Sequence, residues 1–351
     1  MRAVTVEPGT PDSLRVEEVA DPRPGPGELL VDGLSVGVCG TDREIAAGQY
    51  GWAPPLRGRL VLGHESLGRV TRTVAGSGFA VGDLVAGIVR RPDPVPCGAC
   101  ARGEFDMCRN GRYTERGIKE LDGYGSEQWC VEADYATIVN AELESVGMLM
   151  EPTSVVAKAW EQVYRVGERS WFDPRRVLVT GAGPIGLLAA LLGVQRGLEI
   201  HVLDRVTDGP KPALVESLGA TYHHDSVDDV AARLCPDVVI EATGASQVVL
   251  AAMSTTDRYG VVCLTGVSPA GRVVHVDAGA MNRDIVLEND AVVGSVNANA
   301  RHYRQAADAL AEADTGWLEE LITRRVPLHR AAEAFEARDG DVKVVIDLVA
   351  A

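Results

Sequence analysis

The fold of this chain is decided by residues 176–186, which read RVLVTGAGPIG. The first five have the β-branched, apolar composition of a buried strand, and the apolar run that continues to Leu192 has the composition of a helix. Gly181, Gly183 and Gly186 form a G-x-G-x-x-G between them. At a strand-to-helix junction the first glycine permits a tight turn, the second lets the backbone approach a pyrophosphate, and the third lets helix and strand pack closely. The stretch therefore predicts a dinucleotide site at a helix N-terminus.

An acidic residue stands where the next predicted strand ends. The apolar run from Ile200 to Leu203 leads into Asp204, about 20 residues after Gly181, where a carboxylate that binds the adenosine ribose is expected. A carboxylate accepts a hydrogen bond from a ribose 2′-hydroxyl and repels a 2′-phosphate, whereas the neighbouring Arg205 could pair with that phosphate. The sequence therefore favours NAD and leaves dual use with NADP open.

Strands and helices alternate around this motif. Thr153 to Arg165 has the spacing of an amphipathic helix, and further short apolar strands are predicted at 237–241 and 260–264. This alternation indicates βαβ units and a parallel sheet. The first hundred residues instead alternate short apolar runs with glycine and proline, and a last strand is predicted at 342–347. We therefore expect an α/β protein, with a mostly antiparallel β-domain, a doubly wound parallel sheet and a C-terminal return.

Length and charge limit the class of protein. The chain has 351 residues, which suits two domains, and 46% of them are hydrophobic. Its net charge of -16 argues against nucleic acid as a partner, because nucleic-acid binding needs a basic face. The N-terminus lacks the apolar core of a secretory signal, and no apolar run is long enough to cross a membrane. We expect a cytoplasmic protein that binds neither nucleic acid nor membrane.

One thiol, one imidazole and two carboxylates outside the nucleotide-binding segment suggest a metal site. Cys39 follows a predicted strand, His64 and Glu65 lie in a glycine-bounded turn, and Glu151 precedes the amphipathic helix. A catalytic zinc takes three protein ligands and leaves a position for water or substrate. Taken singly, a cysteine is most often a small buried residue and a histidine a hydrogen-bonded structural one. The residues alone leave both interpretations open.

Three of the seven cysteines, Cys97, Cys100 and Cys108, lie within twelve residues. An odd number of unevenly spread cysteines is not typical of a disulfide framework, and a reducing compartment keeps thiols free. The cluster therefore predicts a metal site before a disulfide.

The order of these motifs resembles the zinc-dependent medium-chain dehydrogenases, and within them the glucose dehydrogenase branch. It runs from Cys39-Gly-Thr-Asp and Gly63-His-Glu-x-x-Gly through the cysteine cluster to Glu151-Pro and the glycine motif. The short sequence segments that indicate this branch in particular are Val89-Arg90-Arg91-Pro92, Glu115-Arg116-Gly117, Met150-Glu151-Pro152, Glu241-Ala242-Thr243-Gly244, Val276-Asp277-Ala278-Gly279 and Gly294-Ser295-Val296-Asn297. The resemblance implies a GroES-like catalytic domain, residues 1–153 and 300–351, with a Rossmann domain inserted at 154–299.

The resemblance also implies roles for individual residues. Cys39, His64 and Glu65 would ligate a catalytic zinc, with Glu151 as a direct or water-mediated fourth ligand. Thr41 would pass the proton of the substrate hydroxyl away from the metal. The residues implied at the dinucleotide are Gly181, Gly183, Pro184, Ile185, Gly186, Asp204, Arg205, Thr243 and Asn297. Those implied at the substrate are Thr41, Glu115, Glu151 and Asn297.

The cysteine cluster matches the family's structural zinc lobe incompletely. That lobe has the pattern C-x2-C-x2-C-x7-C, and this chain matches its last three cysteines. Pro94 stands at the first position, and Asp93 beside it is the implied replacement, since structural zinc prefers four closed ligands. The resemblance thus implies a structural zinc on Asp93, Cys97, Cys100 and Cys108. The alternative is a lobe that has lost its metal and keeps three thiols.

The implied reaction is hydride transfer from a sugar hydroxyl to NAD or NADP, at C1 of glucose or a related aldose, with a lactone as product. Val155 lies one turn after Glu151, where some sugar dehydrogenases of the branch carry a polar group. A polyol, a cyclitol, an amino alcohol or a sugar of a secondary metabolite therefore stays open as substrate. A non-catalytic dinucleotide-binding sensor is a more distant alternative. A homodimer or homotetramer is the expected assembly.

Overall fold

Residues 28–38 form the central strand of a largely antiparallel sheet in the computed structural model, which describes residues 1–269, 271 and 273–349. Buried and partly exposed side chains alternate along most of this strand, as expected where one face of a sheet packs on a core. Its partners come from both the N-terminal and the C-terminal part of the chain. One sheet therefore joins segments that are distant in sequence.

The chain divides into two units. The first, the catalytic unit, consists of Met1–Ser154 and Asn297–Ala351, and the second, the nucleotide unit, of Val155–Val296. The boundaries expected from the sequence, after residues 153 and 299, lie close to these positions.

Short strands and one short helix make up the first segment of the catalytic unit. Its elements are β1 (Arg2–Val6), β2 (Arg15–Glu18), β3 (Glu28–Val38), α1 (Gly40–Ala46), β4 (Leu60–Val61), β5 (Glu65–Arg72), β6 (Leu84–Gly87), β7 (Arg90–Arg91), β8 (Thr114–Arg116), β9 (Glu120–Leu121), β10 (Gln128–Glu132) and β11 (Ala136–Val139). The predicted amphipathic helix follows as α2 (Met150–Gly167), a little longer at each end than its apolar pattern indicates.

The nucleotide unit alternates strands and helices. Its elements are β12 (Arg176–Thr180), α3 (Pro184–Gln195), β13 (Glu199–Leu203), α4 (Pro210–Ser217), β14 (Thr221–His223), α5 (Val227–Leu234), β15 (Val238–Glu241), α6 (Ser246–Ala252), β16 (Val261–Leu264), α7 (Ala278–Glu288) and β17 (Ala291–Gly294). All six strands are parallel, in the order β14-β13-β12-β15-β16-β17. The strand order reverses beside β12, which is where doubly wound sheets bind dinucleotides.

The last segment returns to the catalytic unit as α8 (Ala300–Glu312), α9 (Thr315–Leu321), β18 (Ile322–Pro327) and β19 (Lys343–Asp347). The main sheet of that unit has the order β11-β6-β5-β3-β19-β18, and β10 also pairs with β3. Smaller sheets have the orders β2-β1-β4 and β7-β8-β9. The mostly β unit and the doubly wound sheet predicted from the sequence are both present. Among the described residues no helix is both long and apolar enough to cross a membrane.

Candidate active site

Two adjacent strands bring Cys39 and His64 together. Cys39 follows β3 as the N-cap of α1, and His64 directly precedes β5, which pairs antiparallel with β3. The Cys39 Sγ lies 3.1 Å from the His64 Nε2. One ligand atom from each of Cys39, His64 and Glu65 lies within 4.8 Å of the others, so the structure groups the three donors predicted to ligate a catalytic metal.

Asp42 orients this pair, and sequence reasoning missed its role. It occupies the third position of α1, and its Oδ2 accepts a hydrogen bond of 2.9 Å from the Cys39 N–H. Its Oδ1 lies 3.4 Å from the His64 Nδ1. A carboxylate on one ring nitrogen fixes the other nitrogen as a metal ligand, which is the usual support of a zinc-bound histidine. The capping position of the aspartate in Cys-Gly-Thr-Asp was the available signal.

Glu65 is held by a lysine from the far end of the chain. Lys343 begins β19, and its Nζ forms an ion pair with the Glu65 carboxylate. The same Nζ donates a hydrogen bond of 3.3 Å to the Val38 carbonyl. Both charged side chains are almost fully buried. The sequence predicted a strand at this place and gave no sign of the ion pair.

Glu151, the second residue of α2, is buried near these groups but lies outside the group of three donors. Burial and the neighbouring Glu65 charge raise the pKa of its carboxyl, against the effect of His64. Burial also raises the pKa of the Cys39 thiol. The pKa of His64 is raised despite its burial, because the Asp42 and Cys39 charges favour the imidazolium. All three shifts reduce the negative charge of the site.

The chemistry of the donors fits a zinc ion. Cys39, Asp42, Glu65 and Glu151 are acidic, whereas Lys343 is the one lysine or arginine that the described contacts place against them. A buried excess of negative charge is costly unless a cation balances it. Thiolate, imidazole and carboxylate are together the ligands that zinc prefers. Thr41, at the second position of α1 and two residues after Cys39, is half-buried.

Glu115 and Asn297, both predicted to contact a substrate, are in direct contact with each other. The Asn297 Nδ2 donates a hydrogen bond of 2.7 Å to the Glu115 Oε1. The same oxygen accepts bonds of 3.1 and 2.9 Å from the Arg90 Nε and Nη2. Glu115 is 5% exposed, so it is not a solvated loop charge. Arg90 lies in one of the sequence segments that indicate the glucose dehydrogenase branch, but the sequence did not predict its contact with Glu115.

The glycine motif has the geometry that its sequence predicts. Gly181 has a φ of 95°, a left-handed conformation that favours glycine. A Cβ on Gly186 would collide with the Gly181 carbonyl, so helix and turn approach closely only because this position is a glycine. Pro184 is the first residue of α3, Ile185 the second, and Gly183 is the N-cap. Thr243 lies in the turn after β15, where its N–H and hydroxyl donate to Glu241.

Asp204, the carboxylate expected at the adenosine ribose, also contacts the protein itself. Its Oδ2 accepts a hydrogen bond of 2.8 Å from the Ala182 N–H, inside the glycine motif. The same oxygen pairs with the Lys211 Nζ at 3.0 Å. Burial opposes ionisation, but Lys211 and the Ala182 N–H lower the pKa of Asp204. Arg205 is exposed. The carboxylate therefore also anchors the glycine turn, which the sequence could not show.

The three lobe cysteines lie together, but without Asp93. One Sγ from each of Cys97, Cys100 and Cys108 lies within 4.8 Å of the others. The Cys97 Sγ accepts a bond of 3.4 Å from the Arg109 N–H, and this bond lowers the pKa of the thiol. The expected fourth ligand points elsewhere. The Asp93 Oδ1 accepts from the Val95 N–H at 2.8 Å, and its Oδ2 accepts side-chain bonds of 2.9 and 3.2 Å from Asn110 and Arg112.

Comparison with known proteins gives full-length matches. The family model "Glucose dehydrogenase C-terminus" matches residues 144–348, and "Alcohol dehydrogenase GroES-like domain" matches residues 25–142. The chain is 41% identical to a glucose 1-dehydrogenase of Methanocella arvoryzae and 42% identical to one of Thermoproteus tenax, in each case over 99% of both chains. Among solved structures, Haloferax mediterranei glucose dehydrogenase in complex with NADP, Zn and gluconolactone matches with a TM-score of 0.92 and 34% identity over 100% of both chains.

Proposed function

This chain belongs to the glucose dehydrogenase branch of the zinc-dependent medium-chain dehydrogenases, and we propose that it oxidises glucose or a related aldose at C1 to the lactone with NAD or NADP. The matches confirm the resemblance inferred from the sequence. The observation that carries the proposal is the convergence of Cys39, His64 and Glu65 in one unit of a chain whose other unit has the dinucleotide-binding geometry.

When bound, zinc would lower the pKa of the substrate hydroxyl, and the nicotinamide would accept the hydride. The residues of the chain prepare this chemistry. The Asp42 Oδ1 lies 3.4 Å from the His64 Nδ1, within ion-pair distance, while the His64 Nε2 faces the Cys39 Sγ. Thr41, two residues after Cys39, carries the hydroxyl that we assign to moving the substrate proton. Glu151 is buried beside the ligands and is our candidate for a fourth ligand, direct or through water.

Recognition of the sugar is assigned to Glu115 and Asn297, together with Glu151. Arg90 and Asn297 fix the Glu115 carboxylate from one side, which leaves it oriented at little further entropic cost. Fixed polar groups suit a sugar, because its hydroxyls are what a site can recognise. We also assign Asn297 to the cofactor side, since it follows directly after the segment that ends the nucleotide unit.

The decisive experiment is an assay of zinc-loaded protein with NAD and NADP against aldoses, polyols and cyclitols. We expect glucose or a close epimer to have the highest kcat/KM, and a lactone as the first product. A simple alcohol or an acyclic polyol oxidised faster than every aldose would overturn the sugar assignment.

We also propose that the protein is a homo-oligomer in the cytoplasm. Among the strands that the structure describes, β17 ends the parallel sheet and pairs with β16 alone, and α7, which precedes it in sequence, has no buried residue. Val286 and Leu287 on α7 are 62% and 63% exposed. A second copy paired along this edge would cover them. A solution mass of one chain, unchanged in Leu287→Glu, would contradict the assembly. Thiol ligands such as Cys39 favour a reducing compartment.

A further inference from the structure

A lysine that the glycine motif does not include sits at the ribose-binding carboxylate. Lys211 is the second residue of α4, and its Nζ lies 3.0 Å from the Asp204 Oδ2. The Lys211 side chain is 22% exposed and that of Asp204 is 11% exposed, so the pair lies at the edge of solvent. A ligand can therefore reach the ammonium without breaking the fold.

The ion pair changes the charge that a 2′-phosphate would meet. Four charged residues occupy this loop and the start of α4: Asp204, Arg205, Asp208 and Lys211. Their formal charges cancel. Without Lys211 the loop would carry a net negative charge, with Asp204 unopposed, and would repel a phosphate as the sequence alone predicts.

Hydrogen-bonding capacity remains on both partners. The Asp204 Oδ2 already accepts from Ala182 and Lys211, whereas Oδ1 accepts one bond of 3.2 Å from the Val206 N–H. A carboxylate oxygen has two acceptor positions, so Oδ1 can accept one more donor, such as a 2′-hydroxyl. An ammonium has three N–H donors, and the Lys211 Nζ uses one on Asp204, so it can bind a phosphate and Asp204 together.

We propose that Lys211 determines cofactor specificity, because it neutralises Asp204 and donates a hydrogen bond to the 2′-phosphate of NADP. Asp204 still accepts a hydrogen bond from the 2′-hydroxyl of NAD. This inference rests on the proposed use of NAD or NADP, not on the identity of the sugar. It replaces the expectation that the Asp204 carboxylate by itself favours NAD over NADP. Removing Asp204 would also release the Ala182 N–H and loosen the glycine turn.

The experiment measures binding of 2′,5′-ADP and 5′-AMP, which carry the adenosine end of NADP and of NAD without the nicotinamide. Calorimetry on the full chain needs neither sugar nor turnover. Wild type is expected to bind both nucleotides. Lys211→Met is expected to lose at least about tenfold in affinity for 2′,5′-ADP, the effect of one charge-assisted hydrogen bond, and less than about threefold for 5′-AMP. Lys211→Arg should restore most of the 2′,5′-ADP affinity.

Arg233→Gln is the matched control, since Arg233 is an exposed cation of the same unit that pairs with Asp225. It should change neither affinity. An equal loss of both nucleotides in Lys211→Met would show that Lys211 only supports the turn, and loss of 2′,5′-ADP binding in Arg205→Ala instead would assign the phosphate to Arg205. Either result overturns the inference. Wild type that bound neither nucleotide would contradict the proposed function itself.

Discussion

The buried ammonium of Lys343 is ion-paired with the carboxylate of Glu65, the residue directly after His64, which is our candidate metal ligand. Glu65 therefore has two roles, as a candidate metal ligand and as the partner of a buried cation. Because Lys343 comes from β19 and Glu65 from β5, the pair also connects β19 to the candidate metal site within the main sheet.

Replacing Lys343 with Met should destabilise the metal-free protein by about 3 kcal/mol, because it leaves a buried carboxylate without its cation. Added zinc should recover part of this loss, since the metal would balance the same charge. Thermal unfolding with and without zinc measures both effects. Lys119→Met, at a lysine whose side chain bonds the exposed Gly111 carbonyl, is the control. An equal loss of stability with and without zinc would show that the ion pair stabilises the protein independently of the metal site.

His64→Ala should remove catalytic zinc and nearly all turnover, while NADH affinity stays close to wild type because the nucleotide unit is separate in the chain. Metal analysis and NADH fluorescence titration measure the two properties. His329 is exposed, and His329→Ala should leave both unchanged. Substantial activity of His64→Ala after exhaustive chelation would contradict the zinc mechanism.

The lobe should hold zinc through its thiols and not through Asp93. Cys100→Ala should lower the zinc content by one per chain, whereas Asp93→Asn should leave it unchanged, because the Asp93 carboxylate already bonds Val95, Asn110 and Arg112. Zinc content that is the same in wild type and Cys100→Ala would mean that the lobe carries no metal.

Glu115 should couple to one hydroxyl of the sugar. Deleting that hydroxyl in a deoxy-sugar series should lower kcat/KM of wild type by about 100-fold or more, because buried polar groups are left unpaired. In Glu115→Ala, which removes the carboxylate, the same deletion should matter much less, and the double-mutant cycle isolates the contact. Glu120→Ala, at an exposed acid on β9, serves as control. Equal losses of kcat/KM in both enzymes would show that Glu115 does not contact the sugar.

Most features that could be predicted from the sequence depend on local patterns of residues. The glycine motif, the strand before it and the acid after β13 are each set by neighbours within a few residues, so their positions follow from spacing. The cysteine cluster is equally local. β14 and β17 were not predicted, because three or four residues give too short a pattern to separate from a loop.

Long-range contacts could not be predicted. The pairing of Lys343 with Glu65 depends on β19 lying next to β3, a register set by the whole sheet. Lys211 reaches Asp204 across a loop whose path has no sequence signature. The side chain of Asp93 turns away from the thiols because Asn110 and Arg112 offer it hydrogen-bond donors. The spacing of residues in the sequence does not predict that these donors compete with a metal for the carboxylate.

The position of β19 between β3 and β18 has a consequence for biosynthesis. The nucleotide unit is continuous in sequence, so all of its strands have left the ribosome before β19 is made. On the edge of β3 that later pairs with β19, β10 covers residues 28–32, whereas residues 35–38 stay without a strand partner until β19 is translated. We therefore expect vectorial folding in which the inserted unit matures first, and the nascent N-terminal segment waits with an open, aggregation-prone strand edge that chaperones would protect.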